Sequence, residues 1–212
     1  MIEAVIFDFD GVIGDTMADN CVAWQHAFAE CGFYLPSAEY YKLEGMGRYQ
    51  IAENIIVKNG LHIDDVKSVV EAKELYYKQN NTFRIYDHID EIFTYLKKHN
   101  VLIAIVTGAS KARITEHLGT GLSDQLSALI TADDVTHTKP HPEPYLKAVE
   151  ELNKPAGNCL IIENAILGIE SAKAAGCICF ALETTLTRPD LALADEVFST
   201  HKELLTKLES MF

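Results

Sequence analysis

Two aspartates stand two residues apart in the stretch AVIFDFDGVIGDT, where Asp8 and Asp10 follow directly on an apolar run. Like charges held together at the edge of a core repel each other, and one carboxyl titrates upward unless a cation sits between them. Hard carboxylate oxygens of this kind suit Mg²⁺, which keeps several waters and is commonly held by one or two carboxylates together with substrate phosphate. The pair therefore predicts a phosphoryl group as its guest. Taken alone it could equally be a solvated turn at a strand end, so the reading depends on what else collects beside it.

The elements that must position the pair are legible as hydrophobic pattern. Apolar segments rich in Val, Ile, Leu and Phe read as buried strands at 4–7, 101–106, 128–130, 159–162 and 178–182. Helical periodicity separates most of them, as at 145–152 and 166–175, the second closed by Gly176 as a helix C-terminal glycine should be. Such alternation implies a parallel sheet covered by helices. Residues 17–84 differ: they carry helix patterns at 21–31, 49–58 and 66–78 and no good strand. The expected architecture is a doubly wound, Rossmann-like α/β core built from residues 1–16 and 85–212, with an all-helical block of residues 17–84 inserted after the first strand.

In open α/β sheets ligands bind beyond the carboxyl ends of the strands, and four successive strand ends here carry reactive groups. The first ends in Asp8 and Asp10, the second in Thr107-Gly108-Ala109-Ser110. The third leads through Asp133-Asp134 to the loop His137-Thr138-Lys139-Pro140-His141-Pro142, and the fourth ends in Glu163-Asn164. Asp8, Asp10 and Glu163 could hold Mg²⁺, Lys139 supplies a point charge for phosphate oxygens, and Thr107 with the amides after it supplies hydrogen-bond donors. Each residue also has a plainer role open to it. Thr107 could be a helix N-cap, Asn164 a turn residue, and Lys139 a surface lysine. His137 and His141 suggest a metal pair, but a proline-rich loop that offers no third ligand is expected to use them for packing.

Taken together these residues resemble the haloacid dehalogenase superfamily, in the branch of the β-phosphoglucomutase-like phosphatases. DFDGVIGDT is similar to the family's first motif, IVTGAS to its second, KPHPEPY to its lysine motif and IIENAILGIESAKAAG to its acidic motif, in family order along the whole chain. The resemblance implies that Asp8 attacks phosphorus to form an aspartyl-phosphate and that Asp10 serves as general acid and then base. It implies that Thr107 and Lys139 hold the transferring oxygens, and that Asp8, the carbonyl of Asp10, and Glu163 or Asn164 hold Mg²⁺. The inserted helices become a cap domain that closes over substrate. Gly108 and Ala109 line the substrate site, and Arg48, in the cap loop Gly45-Met46-Gly47-Arg48, reaches down to clamp a second anionic group.

Two features depart from the pattern. Many relatives have Glu-Asp where this chain has Glu163-Asn164, so weaker metal binding is expected. Sugar mutases of this branch carry a histidine where Asn20 stands, and their cap lysine has no evident counterpart, which favours hydrolysis of a small phosphomonoester, most plausibly a sugar phosphate, over intramolecular transfer. Thr16 and Trp24 are mutase-like and keep the transfer reading open. A non-catalytic binding module of the same fold, supported by Asn164 alone, is the third.

Bulk properties exclude other classes. A net charge of −13 without a dense Lys/Arg stripe argues against nucleic acid or an anionic membrane as partner, while leaving a small phosphorylated metabolite open. No apolar run approaches the ~20 residues of a membrane span, and the start of the chain does not read as a signal peptide, so a cytoplasmic protein, a monomer or weak homodimer, is expected. The five cysteines form no CxxC and no paired spacing, which speaks against a disulfide framework. Cys177 and Cys179, two apart on a strand, should share a buried face, and Trp24 with Phe28 should be core of a helix. The patterns GxxxxGK[ST], GxSxG and HExxH are absent.

Overall fold

The computed structural model describes residues Met1–Phe212, for Thr120 the backbone alone. Six strands, β1 (Ala4–Phe7), β2 (Leu102–Val106), β3 (Ala128–Ile130), β4 (Cys159–Glu163), β5 (Ile178–Leu182) and β6 (Glu196–Phe198), form one sheet in the order β3-β2-β1-β4-β5-β6. Every neighbouring pair is parallel. β1 lies between β2 and β4, with Phe7 opposite Ile105 on one side and Ile162 on the other. The order reverses across β1, and Asp8 leaves the sheet at this switch point, where open α/β sheets receive ligands.

Because side chains alternate along a strand, each central strand feeds two apolar layers. Val5, Phe7, Ile103, Ile105, Leu160 and Ile162 pack on one face. There they meet α5 (Ile89–Lys98), α6 (Lys111–Ser123, interrupted at Gly119) and α9 (His201–Glu209). Ala4, Ile6, Ala104, Val106, Cys159 and Ile161 pack on the other, against α7 (Glu143–Leu152) and α8 (Ile166–Ala174). Cys177 and Cys179 share that second layer, as their spacing predicts. Gly176 adopts φ 77, the left-handed residue that ends α8.

Helices α1 (Met17–Glu30), α2 (Ser37–Tyr40), α3 (Arg48–Lys58) and α4 (Val66–Asn80) bury a third apolar cluster among themselves, with Trp24, Phe28, Ile51, Ile55, Val69 and Val70 inside. Two short extended segments connect these helices to the sheet and pair with each other. Asp15 N–H donates to the Arg84 carbonyl and Tyr86 N–H to the Ile13 carbonyl, each at 2.9 Å. Arg84 Nε and the Tyr86 hydroxyl both reach the Asp15 carboxylate, at 2.8 and 3.1 Å.

Three details differ from the sequence reading. β6, three half-buried residues at the sheet edge, has too little apolar pattern to announce itself. α1 starts at Met17 rather than at residue 21. The four-residue α2 lacks a full period. All five cysteines are free, Cys31 alone exposed, and no described helix is long and apolar enough to cross a membrane.

Candidate active site

β1 ends and the chain continues in register for one more residue, the Asp8 amide donating to the Ile162 carbonyl at 2.9 Å. This fixes the Asp8 backbone at the mouth of the sheet. Lys139 crosses from the loop after β3, its Nζ donating to Asp8 Oδ1 at 2.6 Å, to Glu163 Oε1 at 2.7 Å and to the Val106 carbonyl at 3.3 Å. One ammonium thus ties the ends of β1, β2 and β4 together, 1 % exposed. It is the buried lysine of the predicted motif, not a surface one.

Glu163, the last residue of β4, is fully engaged. Its Oε1 also accepts from the Tyr145 hydroxyl at 2.7 Å, and its Oε2 accepts from the amides of Asn164 and Ala165 at 2.9 and 3.1 Å. α8 comes so close that a Cβ on Gly168 would stand 1.8 Å from Glu163 Oε1. Only glycine allows that approach. Asn164 donates from Nδ2 to Thr185 Oγ1 at 3.3 Å. Its Oδ1 is buried with no hydrogen-bond partner among the described residues.

Asp10 sits in a tight turn, with Gly11 at φ 84 and the Gly11 amide donating to the Gly14 carbonyl at 2.8 Å. The Thr16 hydroxyl donates to Asp10 Oδ1 at 2.5 Å and Asn20 Nδ2 to the same oxygen at 3.2 Å, while Arg113 pairs with Oδ2. The network extends outward through Asn20 Oδ1, which accepts from Arg113 at 3.1 Å and from Lys73 Nζ at 2.8 Å. Asn20 of α1 and Arg113 of α6 therefore hold the carboxylate directly, and Lys73 of α4 braces it through Asn20.

Thr107 is buried, and its hydroxyl accepts from the Ala109 amide at 3.1 Å. It braces the turn after β2, whereas Ser110, whose Oγ accepts from the Arg113 amide at 3.4 Å, stands at the start of α6. A Cβ on Gly108 would lie 2.9 Å from the Met46 carbonyl, so the loop of the helical block rests on this turn. A cavity of about 40 Å³ remains between them, lined by Asp8, Asp10, Gly108 and Ala109 from the sheet side and by Glu44, Arg48 and Lys73 from the helices.

Charge is unevenly matched in this space. Burial, against the opposing pull of Lys139, pushes the Asp8 carboxyl up to about 8. Burial, together with the charges of Asp10 and Asp8, does the same to Glu44, also to about 8. For Asp10 burial is outweighed by the Arg113 guanidinium and the Thr16 hydroxyl, and its carboxyl stays below the usual range. Lys139 is held above its ordinary value because two carboxylates flank it, although burial works the other way.

Asp8, Asp10, Thr16, Arg48, Thr107, Gly108, Ala109, Lys139, Glu163 and Asn164 thus stand around one cleft, whereas His137 and His141 lie on the loop outside it. Arg113, Lys73, Glu44 and Tyr145 are additional. Lys73 had a signal: it falls on the buried stripe Val69, Val70, Lys73, Tyr77 of α4, a position where a lysine needs a reason. Arg113 and Glu44 had none, since each lies in a polar stretch whose direction only the packing sets.

A family model for haloacid dehalogenase-like hydrolases matches residues 5–182, and the chain belongs to that family. It is 29% identical to validoxylamine A 7'-phosphate phosphatase of Streptomyces hygroscopicus subsp. limoneus, over 92% of this chain and 92% of that one. It is 27% identical to β-phosphoglucomutase of Bacillus subtilis, over 82% and 80%. The crystal structure of β-phosphoglucomutase from Clostridium difficile superposes with a TM-score of 0.84 at 27% identity, over 96% of this chain and 93% of that one. The expectation of a haloacid dehalogenase-like phosphatase with a β-phosphoglucomutase-like fold stands.

Proposed function

We propose that this chain hydrolyses a small phosphomonoester of the sugar-phosphate class through a phosphorylated Asp8. The observation that carries the reading is the buried Asp8–Lys139 contact of 2.6 Å beside an independently held Asp10. Asp8 is placed to attack phosphorus, and Lys139, already on one Asp8 oxygen, is placed to follow the charge onto the transferring oxygens. Asp10 stands where it can give a proton to the leaving oxygen and then take one from the attacking water. Thr107 and the Gly108 and Ala109 backbone complete the cradle, Arg48 meets the far end of the substrate, and Thr16 orients Asp10.

The donor set fits Mg²⁺. Asp8, the Asp10 carbonyl and Asn164 would hold it, and the orphaned Asn164 Oδ1 together with the surplus carboxylate charge are what a hard cation would satisfy. Bound there, the ion would neutralise charge on the phosphoryl oxygens. Glu163, with all its hydrogen bonds spent on protein, serves in this reading to fix Lys139.

Residues 17–84 act as the cap. The cavity of about 40 Å³ has space for roughly three waters, so the helices must swing away to admit a sugar phosphate. The paired segments at Asp15 and Arg84 are the place for that hinge. Lys73, a buried cap lysine bonded to Asn20, favours a second reading, intramolecular phosphoryl transfer on a hexose phosphate.

The test is phosphate release from a panel of sugar phosphates and other phosphomonoesters, with and without Mg²⁺, for the wild type and Asp8→Asn. Magnesium-dependent release that is lost in Asp8→Asn supports the hydrolytic reading. An accumulating isomer without release moves the assignment to the mutase, and binding without either product sinks both.

A further inference from the structure

A second group of metal-ligating side chains stands outside the cavity. His137, His141 and Glu143 offer one ligand atom each, all within 4.8 Å of one another. The sequence argued for loop packing here because no third ligand was in view. The fold supplies one: Glu143 is the first residue of α7, and its carboxylate turns back onto the loop. Its Oε1 accepts from the Thr136 amide at 2.7 Å, and its Oε2 from the His137 amide at 2.9 Å.

Both histidines turn Nδ1 toward Glu143. His137 Nδ1 lies 2.7 Å from Glu143 Oε2. Nδ1 of His137 and Oε2 of Glu143 thus lie close enough to ligate one ion, which would replace the hydrogen bond between them and leave the ring proton on the outward Nε2. The two rings face each other with centroids 4.6 Å apart. His141 Nδ1 accepts from the Glu143 amide at 3.1 Å and lies 4.0 Å from Glu143 Oε2, so its lone pair already faces the same residue. The side chains are 63% and 50% exposed. Ring rotation can therefore bring the ligand atoms to the separation of about 3.3 Å that a tetrahedral ion with bonds of about 2.0 Å requires.

We propose that His137, His141 and Glu143 form a site for a borderline divalent ion of the zinc group, with a fourth position open to water. Two imidazoles and one carboxylate suit Zn²⁺, Co²⁺ or Ni²⁺ and disfavour Mg²⁺, which prefers oxygen alone. The site is therefore chemically separate from the carboxylate-rich cavity. Its position gives it consequence. The two histidines bracket Thr138, Lys139 and Pro140, and the Thr138 hydroxyl accepts from the Gly47 amide at 3.1 Å and donates to Gln50 on α3. An ion bound here clamps the segment that carries Lys139 and touches the helical block.

The experiment is calorimetric titration of Zn²⁺ into the full chain held in excess Mg²⁺, with Co²⁺ absorption as a second readout. One equivalent should bind with a dissociation constant at or below about 10 µM, and binding should weaken at least tenfold in the His137→Ala/His141→Ala double variant. Asp8→Asn should bind zinc as the wild type does. Bound Co²⁺ should show ligand-field bands without thiolate charge transfer. The proposal is overturned by absence of a stoichiometric isotherm, by binding undiminished in the double variant, by loss in Asp8→Asn, or by a thiolate band pointing to Cys31. The double variant alters only exposed side chains, and its circular dichroism separates lost binding from lost fold.

Discussion

Lys139 stands between Asp8 and Glu163, 2.6 Å from one and 2.7 Å from the other, with almost no exposure to water. Two carboxylates that would repel each other at neighbouring strand ends are held by a single ammonium from a third. Lys139→Ala should therefore lose on two counts. Phosphate release should fall by about 10²–10³-fold, the usual effect of removing one group that follows developing charge. Chemical denaturation should show destabilisation of about 3 kcal/mol, because buried carboxylates are left without their partner. Activity lost with stability unchanged would mean that the triad is not a structural tie.

Gly168 and Glu163 give a sharper test of the same geometry. A Cβ at residue 168 would meet Glu163 Oε1 at 1.8 Å, so Gly168→Ala must displace the carboxylate that fixes Lys139 or move α8. We expect a stability loss of about 2 kcal/mol with a clear drop in turnover. Gly157→Ala, where nothing lies within 4 Å, should be neutral or slightly stabilising. Thermal melts and phosphate-release rates of the pair separate crowding at Glu163 from a general glycine effect.

Arg113 binds Asp10 from α6, and Asn20 joins the pair to Lys73 on α4. A charge-assisted hydrogen bond of this kind contributes about 1.5–3 kcal/mol. Arg113→Met should lower kcat/KM by roughly 10–100-fold while leaving the overall fold intact by circular dichroism. Wild-type kinetics in that variant would remove Arg113 from any role in positioning Asp10.

His201 is buried, stacks on Tyr86 with centroids 4.6 Å apart and holds the Val12 carbonyl at 2.7 Å through Nε2. Burial depresses its pKa, the Val12 contact opposing only in part, with His88 lowering and Asp87 raising it further off. The folded state therefore prefers the neutral ring. As pH falls below about 6.5, the unfolded chain takes up a proton that folded His201 resists, so stability is lost on acidification. His201→Gln should flatten that part of the profile by up to about 1.4 kcal/mol per pH unit. Urea midpoints at pH 7 and pH 5 for both proteins check it, and parallel profiles would refute the assignment.

Much of this was legible in residue order. β1, β3 and β5 fall where the apolar runs put them, because strands buried on both faces must be apolar throughout and end where polarity begins. Asp8, Asp10, Thr107 and Glu163 were visible for the same reason, as polar groups at the ends of such runs, whereas Lys139, nine residues past the third run, stood out only through the motif KPHPEPY. Lys73 was partly visible, a lysine on an apolar helical stripe. β6 was not, since three half-buried edge residues carry little pattern.

What the sequence by itself determined was the set of strand-end groups and the alternation that brings strand ends to one edge, because hydrophobic periodicity is a local property of the chain. Only the tertiary structure decided which groups touch. Glu44 entered the cavity because the loop of the helical block lies on Gly108. Arg113 found Asp10 across 103 residues, and Glu143 joined two histidines because α7 starts with its carboxylate facing back along the loop. Contacts of that kind depend on the relative placement of packed elements, which no spacing within one segment encodes.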